Sequence, residues 1–121
     1  MMLKLIQDFP QHIADSLNIA EGVAKVWQPL PRPVYQVVIT GLGGSGIGGT
    51  IAADLCAGTA TVPVVVNKGY SLPNWVGPNT LVVACSYSGN TEETLTALDQ
   101  AVAAGCMVSA ITSGGELKRR A

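Results

Sequence analysis

Hydroxyl side chains and glycines are the chemistry-bearing groups that this chain concentrates, and two stretches hold most of them. In the run SYSGNT, three hydroxyls (Ser86, Ser88 and Thr91) surround Gly89 and Asn90. The preceding residues, Leu81 to Cys85, are apolar, rich in valine and uncharged, which predicts a strand buried on both faces. The residues that follow favour helix, and Asn90 and Glu93 have the spacing of an N-cap and its reciprocal partner. A strand end that feeds a helix N-terminus through small hydroxyl residues suits an anion. Unpaired backbone N–H groups and the helix dipole favour negative charge there, and the hydroxyls add donors without bulk. The chemistry expected is the binding of a phosphate carried on a small molecule. Helix capping alone is the commoner task of Ser and Thr at such positions, but capping needs one such residue and this turn offers four polar ones.

The second stretch is GLGGSGIGG, in which six of the nine residues from 41 to 49 are glycine. It lies between a β-branched run, Val34 to Thr40, and the helix-favouring TIAADLCAG. Gly41, Gly43 and Gly46 satisfy G-x-G-x-x-G, a weak signal alone. A dinucleotide site also needs an acidic residue closing the next strand, where this chain has Asn67 and Lys68. No Gly-Lys-Ser/Thr follows, so the P-loop pattern fails as well. What survives is physical: glycines let the backbone approach a ligand closely, and Ser45 adds one more hydroxyl. Tight helix–strand packing alone would not require so many glycines.

Other reactive residues give little. Cys56, Cys85 and Cys106 are odd in number and far apart, with no Cys/His cluster, so no metal site is expected. Cys85 reads as a small core residue rather than a catalytic thiol. His12, the one histidine, falls on an amphipathic helix and receives no role. Lys68 and Tyr70 follow a strand end, where α/β proteins bind ligands, but read first as exposed loop residues; Trp75 reads as a packing anchor for that loop. No catalytic residue is assigned.

The elements that must position these groups alternate. A helix from near Asp8 to Trp27 carries an apolar stripe of Phe9, Ile13, Leu17, Ala20 and Ala24. Pro29, Pro31 and Pro33 then form a stiff connector. Strands are expected at Val34–Thr40, Val62–Asn67, Thr80–Ser86 and Met107–Thr112, with a helix at Glu92–Ala104 striped by Leu95, Leu98 and Val102 and stopped by Gly105. This alternation predicts an α/β, doubly wound parallel sheet of order 2-1-3-4, residues 1–33 forming a leading helix and connector and 34–121 the domain proper. The strand order reverses between the strands that precede the two loops, Gly43–Gly46 and Ser86–Thr91, so both converge on the expected ligand crevice. With 121 residues, 48% of them hydrophobic, the chain can bury a core without metals or disulfides. A net charge of −1 with no basic block excludes nucleic acid. No apolar run reaches the roughly 18 residues of a membrane span, and Asp8 and Pro10 interrupt any secretory signal. A reduced, cytoplasmic protein is expected.

At these residues the chain resembles the sugar isomerase (SIS) domain superfamily. SYSGNTEET is similar to its phosphosugar-binding signature. GLGGSGIGG, NKGYSLP, ITSGGEL and the opening DFPQHI together resemble the bifunctional phosphoglucose/phosphomannose isomerase family. The resemblance implies that Gly44 and Ser45 contact a hexose 6-phosphate and that Ser86, Ser88 and Thr91 hold its phosphate. It implies an aldose–ketose isomerisation between glucose or mannose 6-phosphate and fructose 6-phosphate through a cis-enediol, with no metal or redox cofactor. Family members carry two SIS domains, and this chain resembles the first, without its last strand. The family's glutamate base and its ring-opening histidine and lysine lie past the last residue given, so the chain is expected to bind without turnover and to pair with a second SIS domain or as a homodimer. The alternative is a stand-alone sugar-phosphate-binding or regulatory module.

Overall fold

The computed structural model describes residues 7–26 and 29–120, which divide into two compact units, residues 1–30 and 31–121. The first is the helix α1, Phe9–Val26, along which Leu17, Ile19 and Val23 are exposed. Trp27, the expected end of this helix, lies outside the described residues.

In the second unit the order is β1 (Gln36–Thr40), α2 (Gly44–Cys56), β2 (Val64–Asn67), β3 (Thr80–Cys85), α3 (Glu92–Ala103), β4 (Met107–Ile111) and α4 (Gly115–Arg120). The strands form one sheet of order β2-β1-β3-β4, the predicted arrangement, and every pairing is parallel. Parallel strands need long crossover connections; α2 supplies the one from β1 to β2 and α3 the one from β3 to β4, while residues 68–79 join β2 to β3 without a helix. The connector is pinned at the opposite edge of the sheet, where Arg32 Nε donates to the Pro78 carbonyl at 2.7 Å and Asn79 Nδ2 to the Pro33 carbonyl at 2.8 Å.

The core lies between one sheet face and α3. Val38, Val82, Ala97, Ala101 and Leu72 form one buried cluster; Ala84, Leu98 and Leu117 form a second. Burying side chains as large as Val38, Val82, Leu98 and Leu117 stabilises by about 1.5–3 kcal/mol each. Strand β3 is not buried on both faces as its composition suggested: Thr80, Val82 and Ala84 are buried, while Leu81, Val83 and Cys85 on the other face are half-buried. The α3 stripe also differs. Thr94, Ala97, Leu98 and Ala101 face the core, whereas Val102 is 62% exposed. Small alanines let the helix approach the sheet, a preference that a reading weighted toward large apolar residues passes over. Trp75, at 48% exposure, does not anchor its loop.

Thr94 Oγ1 is buried without a hydrogen-bond partner among the described residues. An unsatisfied hydroxyl costs free energy that an isosteric methyl does not. Thr94→Val is therefore expected to raise stability by about 1 kcal/mol, read as an increased denaturation midpoint at unchanged slope.

Candidate functional site

The glycine turn after β1 is shorter than its composition suggested, because α2 begins at Gly44 rather than near Thr50. Gly41, Leu42 and Gly43 make the turn, with Gly43 at φ 56°, and the remaining glycines are helical. Their lack of side chains serves close packing. A methyl on Gly49 would stand 2.9 Å from Ile39 Cγ2, and one on Gly46 would stand 3.0 Å from the Gly41 carbonyl oxygen. At Gly41 a methyl would meet the Cys85 carbonyl at 3.0 Å, so the turns after β1 and β3 touch at that point. Ser45, in the first turn of α2, is half-buried.

After β3 the chain forms the second turn, organised by its own hydroxyls. Ser86 is 3% exposed; its Oγ accepts from the Gly89 N–H at 3.1 Å and lies 2.8 Å from Thr91 Oγ1. Ser88 Oγ accepts from the Asn90 N–H at 3.1 Å. Proton bookkeeping follows from these bonds. The Ser86–Thr91 pair holds two hydroxyl protons, and the bond between them uses one. Ser88 accepts but donates to no protein group among the described residues. Two hydroxyl protons thus remain for a ligand, beside the N-terminus of α3, whose first N–H groups have no intrahelical acceptor.

The expected capping pair is not formed. The N-cap of α3 is Thr91, and it makes no side-chain cap bond. Asn90 Oδ1 instead accepts from the Glu116 N–H at 3.0 Å, tying this turn to the next one along the sheet. The tie is extensive: Ser86 N–H donates to the Ile111 carbonyl at 3.1 Å, Ser113 N–H to the Tyr87 carbonyl at 3.1 Å and Leu117 N–H to the Gly89 carbonyl at 2.8 Å. The Ser113 hydroxyl also donates to the Tyr87 carbonyl. The segment TSGGEL, which carried no role from its spacing, is therefore the support of the hydroxyl turn. Two successive glycines after a strand were its one visible signal.

Glu92 and Glu93 stand in the first turn of α3, beside the Tyr70 hydroxyl. Desolvation first, then these two negative charges, push the Tyr70 phenol above its ordinary range. Burial likewise raises the Cys85 thiol, which keeps it protonated and a poor nucleophile. The sheet face beside α2 carries an apolar groove of about 790 Å³, walled by Val37, Ile39, Ala52, Val64, Val83 and Ile111. Its rim reaches Ser45, Cys85, Tyr87, Thr112 and Ser113, so the groove borders the hydroxyl turn without being lined by Ser86, Ser88 or Thr91. Among the described residues no cluster of His, Cys, Asp or Glu could hold a metal ion, and no helix is long and apolar enough to cross a membrane.

The SIS domain profile matches residues 32–121. A bifunctional phosphoglucose/phosphomannose isomerase from Caldicellulosiruptor bescii is 42% identical over 117 residues, 97% of this chain and 34% of that protein. The enzyme of the same name from Thermoplasma acidophilum is 49% identical over 82 residues, 68% of this chain and 26% of that protein. Tagatose-6-phosphate ketose/aldose isomerase from Escherichia coli has the same fold, with a TM-score of 0.79 at 22% identity, covering 98% of this chain and 36% of that one. The chain thus spans about a quarter to a third of the length of these curated relatives.

Proposed function

The chain belongs to the SIS domain family, and from that premise we propose that it grips a hexose 6-phosphate through its phosphate, at the crevice between the turns after β1 and β3. The observation that carries this reading is the Ser86–Thr91 hydroxyl pair, which leaves a proton unspent at a helix N-terminus that Thr91 does not cap. Thr91 is the more exposed of the two, so Ser86 donates inward to Thr91 and Thr91 donates outward to the phosphate. Ser88 gives the second hydroxyl donor, and the first N–H groups of α3 give the rest. Gly44 and Ser45, in the first turn of α2, meet the sugar from the neighbouring side.

The reaction proposed for the whole protein is the interconversion of glucose or mannose 6-phosphate with fructose 6-phosphate, the activity its relatives' names carry. Moving a proton between C1 and C2 needs a base within hydrogen-bonding reach of the carbon acid. Glu92 and Glu93 are poor candidates: they stand at the helix N-terminus beside the Tyr70 hydroxyl, and a carboxylate aimed at the phosphate would repel it. The chain supplies the phosphate grip, and the base comes from a second SIS domain or a second copy of the chain. The apolar groove beside α2 suits such a partner, since exposed apolar surface of this kind marks interaction sites. Three unpaired cysteines fit a reduced, cytoplasmic setting.

Titrating fructose 6-phosphate and fructose in parallel tests the reading. The phosphorylated sugar is expected to bind and fructose to show no binding at the same concentrations; equal affinity for the two would refute the phosphate grip. The affinity is also expected to weaken as pH falls through about 6, where a phosphate monoester loses its second charge. A pH-independent affinity between 5 and 8 would count against a dianion in the crevice.

A further inference from the structure

We infer that Lys68 is a further ligand-binding residue of this crevice, its ammonium group meeting the phosphate charge from above the first turn of α2. The inference rests on the phosphosugar reading of the crevice. Lys68 directly follows β2, at the sheet edge where α2 and α3 begin. Its backbone position is fixed by the residue before it. The Asn67 carbonyl accepts from the Gly41 N–H at 3.1 Å, and Asn67 Nδ2 donates to Thr40 Oγ1 at 3.1 Å and to the Gly69 carbonyl at 3.2 Å. From there the side chain runs over α2: its Cε lies 3.4 Å from where a methyl on Gly46 would stand. The aliphatic stem therefore rests on bare helix backbone beside the glycine turn.

The segment beyond Lys68 is held as a strap. Gln100 Nε2 donates to the Tyr70 carbonyl at 3.0 Å, and Leu72 N–H donates to Gln100 Oε1 at 2.8 Å. Leu72 is buried in the core with Val38, Val82 and Ala97. Lys68 is thus the exposed head of a segment pinned at both ends, not the tip of a loose loop.

Charge balance gives this placement its consequence. The crevice otherwise offers neutral donors, while Glu92 and Glu93 stand in the first turn of α3. A phosphate dianion brought there needs a nearby cation. Arg32 is held by the Pro78 and Gly105 carbonyls, Arg119 pairs with Glu116, and Lys118 lies with Val108, Ala110, Thr112 and Ser113 on the side of the outer strand β4, away from the glycine turn that follows β1. Lys68 forms no ion pair among the described residues and is the cation beside the glycine turn.

The test titrates fructose 6-phosphate into the 121-residue chain and its Lys68→Met and Lys68→Arg variants, at low and high salt. Methionine keeps a stem over Gly46 and removes the charge. Lys68→Met is expected to bind about tenfold more weakly and to lose most of the salt dependence, as removal of a charge-assisted contact requires. Lys68→Arg is expected to stay within a few-fold of wild type. Wild-type affinity and salt response in Lys68→Met, with binding still lost in Ser88→Ala/Thr91→Ala, would overturn the role of Lys68 and leave the phosphate grip standing. No binding by wild type would overturn both.

Discussion

Replacing Ser88 and Thr91 together with alanine is expected to weaken fructose 6-phosphate binding about a hundredfold or more, with the thermal midpoint lowered by only about 4–8 °C. Each hydroxyl that donates to an ionised phosphate is worth about 1.5–3 kcal/mol, so two give roughly 3 kcal/mol or more. The cost to folding is about 1 kcal/mol, because Thr91→Ala takes from the buried Ser86 hydroxyl its partner at 2.8 Å. Ser88 is exposed and Thr91 half-buried, and Thr91 makes no cap bond whose loss would loosen α3. Ser86→Ala should behave differently. The Gly89 N–H, buried with its residue, would lose its acceptor, at a cost of about 1–3 kcal/mol in stability besides any loss of affinity. Isothermal titration and thermal melts on the three proteins separate the roles. Equal destabilisation by the double variant and by Ser86→Ala would mean that Ser88 and Thr91 are structural.

The second large effect is expected at Gly89. Its φ of +75° already disfavours a side chain, and a methyl there would collide with the Gly114 carbonyl, its carbon only 2.7 Å away. Backbone cannot swing aside as a side chain can. Gly114 sits in the turn whose hydrogen bonds to Tyr87, Gly89 and Asn90 support the hydroxyl turn. Gly89→Ala should therefore cost about 3 kcal/mol or more in stability and abolish binding, since the two turns must separate to admit it. Gly105→Ala is the comparison. It too has positive φ, at 78°, but the nearest atom to an added methyl is Pro78 Cγ at 3.8 Å, so its cost should stay near 1 kcal/mol. A Gly89→Ala protein as stable as wild type would mean that the turns are not packed as described.

The sheet order and the placement of both loops at its reversal were legible in the sequence. Strands such as Val37–Ile39 and Leu81–Ala84 are β-branched or apolar runs closed by turn residues, and helix-favouring segments follow the first and third strands, whereas a Pro/Gly-rich loop joins the second to the third. The helix boundaries were less legible. Six glycines in nine residues argue for a turn, yet α2 starts within them, because a helix packed hard against Ile39 needs bare backbone more than it needs intrinsic propensity. Propensity lost to packing there.

In the hydroxyl turn the sequence showed which residues gather but not their division of labour. Asn90 and Glu93 have capping spacing, yet Asn90 is drawn to the Glu116 amide, a partner 26 positions away (116 − 90) that local spacing cannot reveal. The burial of Ser86 beneath Thr91 is likewise a property of the folded turn.

The central claim is that phosphate sits on the turn after β3, and amide chemical-shift mapping during a fructose 6-phosphate titration tests it most directly. The largest shifts are expected at Ser88, Gly89 and Thr91 and at the first amides of α3, with smaller ones at Gly44 and Ser45, and inorganic phosphate should reproduce the first set alone. Shifts centred on Val37, Ile39 and Ile111 in the apolar groove, with the hydroxyl turn unmoved, would contradict the account.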